Sequence, residues 1–224
     1  MKPLTEEHLA IFRRHMVETI DIHFDLLADE IGKSQVGARL RSALLQVPRH
    51  LFVPVELAAV AYQDAPLPLG FDKTISQPFI AALMIDLLDV QEDDAVLEIG
   101  TGFGYQSAIL AQLSRYVWSV EIVEEFVGIA QERLKALGYG NVALRVGDGT
   151  RGWPDAAPFS KILVTAAAQE VPEKLLDQLS PGGRLVMPLG GQDVQQISLV
   201  EKHEDGDTTV RGIMPARFTP LETA

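Results

Sequence analysis

Chemistry enters this chain at Gly100, Gly102 and Gly104, where an apolar stretch, Val96-Leu97-Glu98-Ile99, runs straight into Gly100-Thr101-Gly102-Phe103-Gly104 and then into a helix-like segment. Alternating glycines allow a backbone to approach a nucleotide-like ligand closely. The spacing differs from Gly-x-Gly-x-x-Gly, in which a helix N-terminus receives a pyrophosphate. Here an acid, Glu98, stands at the end of the apolar run. Its charge would repel a diphosphate and suit a ligand that carries ammonium or sulfonium groups. A tight strand-to-helix turn with no ligand is the alternative reading.

S-adenosylmethionine carries both of those charges, and the string is similar to the first motif of class I methyltransferases. Glu121 follows the next apolar strand, where a carboxylate can accept both hydroxyls of a ribose at the carboxyl edge of a sheet. A solvated acid at the start of the following helix is the plainer account of it. After the third strand, Gly147-Asp148-Gly149 places Asp148 where it can accept an adenine amino group or merely make a turn.

The elements that must position these groups show in the periodicity. Leu9, Phe12, Met16, Ile20, Phe24, Leu27 and Ile31 recur at spacings of three and four, marking one long helix or two in series, closed by Gly32. Leu40, Leu44 and Leu45 form a further helical face that Pro48 should end. From Pro54 to Pro78, prolines and Gly70 among large apolar residues suggest an ordered but irregular segment. Beyond it, strands over Ala95–Ile99, Val117–Val120, Val142–Val146, Ile162–Val164 and Leu185–Met187 alternate with helices. One such helix starts near Pro172 and runs through Leu179. This alternation implies right-handed crossovers and a largely parallel sheet. Val194–Val200 and Thr208–Met214 flank Asp205-Gly206, a hairpin signal. The expected architecture is α/β: a doubly wound, mostly parallel sheet of the class I S-adenosylmethionine-dependent methyltransferase type. A C-terminal antiparallel hairpin and an N-terminal helical preface complete it. Residues 1–45 read as the helical extension and residues 46–224 as the methyltransferase domain.

Composition narrows the function classes. Hydrophobic residues make up 47% and charged residues 22%, which suits a soluble globular chain. The formal charge of −12 opposes non-specific binding to nucleic acid or anionic membrane. The densest basic stretch, Arg39, Arg41 and Arg49, is broken by apolar residues. There are no cysteines, and the five histidines are far apart, so no metal site is expected. Trp118 and Trp153 read as core or pocket-wall residues. The first 30 residues have neither a secretory pattern nor a spanning segment, which makes a cytoplasmic location the default expectation.

Ser76 and Pro78 stand at the start of an apolar helix, where Ser76 can serve as an N-cap. The run around it is more telling. Val47-Pro48-Arg49, Phe52-Val53-Pro54, Pro66-Leu67-Pro68-Leu69-Gly70, Thr74-Ile75-Ser76-Gln77-Pro78, Trp153-Pro154, Val164-Thr165-Ala166-Ala167 and Pro181-Gly182-Gly183-Arg184-Leu185 occur in that order. The chain thereby resembles the protein-L-isoaspartate (D-aspartate) O-methyltransferases from roughly residue 45 to residue 222. The resemblance implies methylation of the free α-carboxylate of L-isoaspartyl residues in damaged proteins and peptides, with D-aspartyl residues as an open addition. S-adenosyl-L-methionine would be the donor and S-adenosyl-L-homocysteine the product, and the ester would then collapse to a succinimide. It implies a catalytic role for Ser76. Cofactor contacts would come from Thr74, Ile75, Ser76, Gln77, Glu98, Gly100, Thr101, Gly102, Glu121, Ile122, Asp148, Gly149 and Thr165.

Two features depart from the family pattern. Phe71-Asp72-Lys73 replaces a Gly followed by Gln or Asn, and Phe79 replaces a His after the proline. Peptide preference and nearby cofactor contacts therefore stay open. So do two alternatives: a carboxyl methyltransferase dedicated to one peptide, and a cofactor-binding protein without turnover. The expected partners are isoaspartyl proteins and peptides, with neither nucleic acid nor membrane. The chain would act as a monomer or as a dimer through its N-terminal extension.

Overall fold

The computed structural model describes residues 4–191 and 194–223; residues 1–3, 192–193 and 224 lie outside it. Helix α1 (Glu6–Leu26) starts at Thr5, whose hydroxyl accepts the His8 N–H while His8 Nδ1 accepts the Thr5 N–H at 3.2 Å. A single turn, α2 (Ala28–Ile31), follows and ends at Gly32 in the left-handed region, φ 86°. The long apolar pattern is thus two helices in series. Leu9, Met16, Ile20, Phe24 and Ile31 are buried, and the same core continues into Leu40 and Leu44 of α3 (Ala38–Gln46). Phe12 shares the spacing but is 38% exposed.

The segment read as irregular contains a hairpin, β1 (Leu67–Gly70) against β2 (Lys73–Ile75). Its tip is Phe71-Asp72, at φ 50° and 55°. Two-residue hairpin turns need positive φ at both central residues to match strand twist. Neither residue is glycine, so the tip stores on the order of 1–2 kcal/mol per residue. Pro68 hid the strand in the sequence, yet a two-stranded hairpin consists of edges, where a missing N–H is tolerated.

Helix α4 (Pro78–Leu88) is almost wholly buried and leads into the main sheet. The chain then alternates β3 (Ala95–Ile99), α5 (Tyr105–Leu113), β4 (Tyr116–Glu121), α6 (Glu124–Ala136), β5 (Val142–Val146), β6 (Phe159–Val164) and α7 (Glu173–Gln178). Helix α7 stops short of the expected end, because Leu179 already opens β7 (Leu179–Gly190). The final hairpin is β8 (Gln195–Lys202) and β9 (Thr208–Ala216). The sheet order is β5-β4-β3-β6-β7-β8-β9, parallel from β5 to β7 and antiparallel beyond. Strand order reverses between β3 and β6, and ligand crevices of doubly wound sheets lie beyond the carboxyl ends of strands at such a reversal. Trp118 packs edge-on against Phe159 at 5.6 Å, in a second core cluster.

Phe24 ties α1 to α4 through a perpendicular ring contact with Phe79 at 5.9 Å. Phe24→Ala should cost about 3–5 kcal/mol of unfolding free energy in urea, whereas Phe12→Ala should stay within about 0.5 kcal/mol. Equal effects of the two substitutions would show that α1 is not anchored through this ring.

Candidate active site

The site is built on the turn that follows β3. Gly100 leaves the strand at φ 96°, and its N–H donates to the Val120 carbonyl at 2.8 Å. Only glycine fits here, because a Cβ would overlap the Thr165 hydroxyl. That hydroxyl lies 3.1 Å from the carbonyls of both Ile99 and Gly100. Glu121, at the end of β4, fixes the other side of the loop. Its Oε2 accepts the Gly102 N–H at 2.8 Å, and its Oε1 accepts the Val123 N–H at 3.0 Å. The carboxylate is buried but reaches the wall of a cavity over the strand ends.

That cavity has an apolar side made by Ile99, Val120, Ile122, Phe126 and Leu221. Lys73, from β2, and Glu222, from the C-terminal segment, form an ion pair across its rim. A narrow extension runs past Thr101 and under Thr74-Ile75-Ser76. On the far side of Ser76 lies a larger cavity of about 850 Å³, bounded by Gln77, Phe79 and residues 214–220. Thr74 and Thr165 border all three spaces, and Ser76 borders the narrow and the large one.

Ser76 is not the helix cap its position suggested. The cap residue of α4 is Gln77, which makes no capping hydrogen bond. Asp64 substitutes from a distant turn: Oδ1 accepts the Phe79 N–H at 2.9 Å and Oδ2 accepts from the Gln77 amide at 2.8 Å. The Ser76 hydroxyl is consequently left without a hydrogen bond among the described residues. Its backbone is held instead by Arg49, whose Nη2 donates to the Ser76 carbonyl and whose Nε donates to the Ala61 carbonyl, both at 2.7 Å. Burial lowers the Arg49 pKa to about 10, so the guanidinium is still cationic at neutral pH. It lies over the Tyr105 ring at 4.9 Å.

Of the residues expected to hold a cofactor, Thr74, Gly100, Gly102, Glu121, Ile122, Gly149 and Thr165 line the first cavity. Ile75, Ser76 and Thr101 line its extension, and Gln77 lines only the larger space. Two carboxylates border none of these spaces. Asp148 turns inward to cap a short turn, accepting the Thr150 N–H at 2.9 Å and its hydroxyl at 2.7 Å. Glu98 is fully buried behind the glycine loop, where Oε2 accepts from the hydroxyls of Ser107 and Ser119. Ser119 in turn lies 2.6 Å from the Thr101 hydroxyl. Sequence reasoning placed Glu98 at a strand end, but strand residues alternate sides, and its side chain lies in the layer under α5. It marked Lys73 only as part of a departure from the family pattern, and missed His23, Arg217 and the wall of residues 219–222. No local pattern marks those positions, because distant segments bring them to the site.

Burial pushes the Glu98 carboxyl up to about 7, against the two serine hydrogen bonds and with the neighbouring Glu121 charge adding to the rise. Between 4.5 and about 7 the folded chain therefore binds more protons at Glu98 than the unfolded chain, and stability falls as pH rises through that window. The cost is absent below 4.5 and complete above 7, on the order of 3 kcal/mol. Glu98→Gln removes the titration. Its unfolding free energy should gain on the wild type between pH 5.5 and pH 8 in urea titrations, and parallel curves would exclude a buried titrating Glu98.

A family model for protein-L-isoaspartate(D-aspartate) O-methyltransferase matches residues 24–224. Protein-L-isoaspartate O-methyltransferase 1 of Polaromonas sp. (strain JS666 / ATCC BAA-500) is 47% identical over 221 residues, which are 99% of this chain and 94% of that protein. A solved protein-L-isoaspartate O-methyltransferase superposes with a TM-score of 0.73 at 28% identity, covering 90% of this chain and 66% of that one. A Plasmodium falciparum protein solved in complex with S-adenosyl-L-homocysteine superposes at a TM-score of 0.72 and 23% identity, covering 84% and 92%; that likeness is one of fold. The match along nearly the whole length, together with the glycine loop and the Thr-Ile-Ser wall, shows that the chain belongs to the protein-L-isoaspartate(D-aspartate) O-methyltransferase family.

Proposed function

We propose that this chain methylates the free α-carboxylate of L-isoaspartyl residues, and the free β-carboxylate of D-aspartyl residues, at the wall between its two cavities. S-adenosyl-L-methionine is the cofactor. When bound, it supplies an electrophilic sulfonium methyl group. The first cavity suits its nucleoside: Gly100 and Gly102 keep the floor free of side chains, the apolar side takes a flat base, and Glu121 offers acceptors to ribose hydroxyls. Glu121 Oε1 and Oε2 already hold the loop through one backbone N–H each, and each oxygen has a further lone pair for a hydroxyl. Asp148 and Glu98 act one layer back, shaping the 149–151 turn and the glycine loop.

The observation that carries the reading is Ser76, whose uncommitted hydroxyl stands where the cofactor extension meets a peptide-sized space. A carboxylate is ionised at neutral pH and needs little help from a base. What it needs is alignment and exclusion of water. Ser76 can donate to one carboxylate oxygen, with its own carbonyl held by Arg49 and the helix start that follows held by Asp64. Ester formation removes the negative charge and prepares ring closure to the succinimide that starts repair.

In this reading residues 46–224 carry the catalytic framework and residues 1–45 an extension. Among the described residues no helix is long and apolar enough to cross a membrane. A cytoplasmic setting, action without nucleic acid, and a monomer or a dimer through the extension complete the proposal.

Two measurements test it. Glu121→Ala should weaken S-adenosylhomocysteine binding about a hundredfold, from loss of charge-assisted hydrogen bonds at roughly 1.5–3 kcal/mol each. Unchanged affinity in calorimetry of a folded variant would remove Glu121 from the cofactor site. The wild type should methylate isoaspartyl peptides and leave matched aspartyl peptides untouched, while Ser76→Ala lowers turnover roughly tenfold to a thousandfold with cofactor affinity largely kept. Full turnover in the variant would leave Ser76 with no role in alignment. A wild type inactive on every isoaspartyl peptide would defeat the assignment itself.

A further inference from the structure

The larger cavity is bordered by two residues from far outside the catalytic framework, His23 of α1 and Leu27 at its C-cap, of which His23 alone has a hydrogen-bonding side chain. Its ring lies 4.8 Å from that of Phe79, beside Gln77 and Ser76 on the same cavity wall. Nδ1 is buried and lies 3.2 Å from Asp64 Oδ2, at an angle too oblique for a full hydrogen bond. Nε2 is the nitrogen left for an occupant. The carboxylate that steadies the ring is the one that also holds Gln77 and the first N–H of α4.

The electrostatics of the space select the occupant. The chain carries 31 acids against 19 Lys and Arg, yet among the described residues no carboxylate borders this cavity. Among the described residues its ionisable lining groups are His23 and Arg217, with Asp64 behind His23 and Arg49 buried beyond Asp64. A cavity of that lining in an acidic protein favours an anionic peptide. An imidazole N–H opposite such a group can donate a hydrogen bond to it.

We propose that His23 is a substrate-binding residue: the N-terminal helix delivers an imidazole that hydrogen-bonds the anionic isoaspartyl segment beside Ser76 and so sets peptide affinity. The inference rests on the isoaspartyl reading above and adds a peptide contact from outside the catalytic framework. Asp64 orients the ring, Phe79 supports its face, and Nε2 makes the contact.

The test compares wild type, His23→Phe and His23→Gln with one isoaspartyl peptide. Phenylalanine keeps an aromatic ring against Phe79 but has no nitrogen; glutamine restores a hydrogen-bonding group. His23→Phe should raise the peptide KM about tenfold while kcat, S-adenosylhomocysteine Kd and melting temperature hold, and His23→Gln should recover most of the loss. In the wild type, the imidazole resonance assigned to His23 by its absence in His23→Phe should shift on adding the isoaspartyl peptide with S-adenosylhomocysteine. A KM within twofold of wild type in His23→Phe, a parallel loss of cofactor affinity, or an unmoved His23 resonance would overturn the proposal. An inactive wild type would remove the isoaspartyl reading first, which separates that failure from this one.

Discussion

The contact between the Gly100 backbone and the Thr165 hydroxyl is the constraint on which the rest of the site depends. β3 and β6 are neighbours at the reversal of strand order, so their ends lie side by side and their chains leave in different directions. The crevice exists because of that divergence, and it stays open only if the first residue beyond β3 has no side chain. Thr165 gains its position from the same packing and borders every space at the site. The floor of the first cavity and the wall between it and the larger one are therefore one mechanical unit. A change at residue 100 would move both.

Charge is arranged with the same economy. An acidic protein that admits an anionic substrate must keep its own carboxylates away from the approach, and those near the site are each committed. Glu121 is held by two backbone N–H groups. Glu98 is buried with its carboxyl pushed up to about 7. Asp64 faces Gln77 and the start of α4, and Glu222 is paired with Lys73. What these commitments leave on the wall of the larger cavity, among the described residues, is the pair of basic groups, Arg217 and His23. The field that favours substrate entry thus follows from where the acids are tied down more than from any cluster of cations.

Much of the cofactor half was legible in the sequence, because it is built from consecutive strand-loop-helix units whose glycines and acids follow strand ends directly. Gly100, Gly102, Glu121 and Gly149 fall together for that reason. Ser76 lies on the wall between two of the spaces, but its local role was not legible, since the cap its position suggested comes from Asp64, twelve positions earlier in the chain. The β1–β2 hairpin was obscured by Pro68 and by a tip, Phe71-Asp72, with no glycine to announce positive φ. Glu98 misled through alternation: the residue before a strand's last one points to the opposite face. The wall of residues 219–222 follows from the path of the chain after β9, which no local periodicity encodes.

The two departures from the family pattern fall on different sides of Ser76. Phe71-Asp72-Lys73 belongs to the cofactor side, where Lys73 lines the first cavity and closes its rim with Glu222. Phe71, although exposed, meets the Phe126 ring edge-on at 5.6 Å, so the strained tip is held against α6. Phe79 belongs to the peptide side, where it gives up a polar group in sequence but presents a ring on which His23 rests. An aromatic at position 79 and an imidazole at position 23 are coupled by packing, and α1 holds that coupling through Phe24. The N-terminal helix is in this way part of the larger cavity's construction, although it lies outside the alternating strands and helices that define the fold.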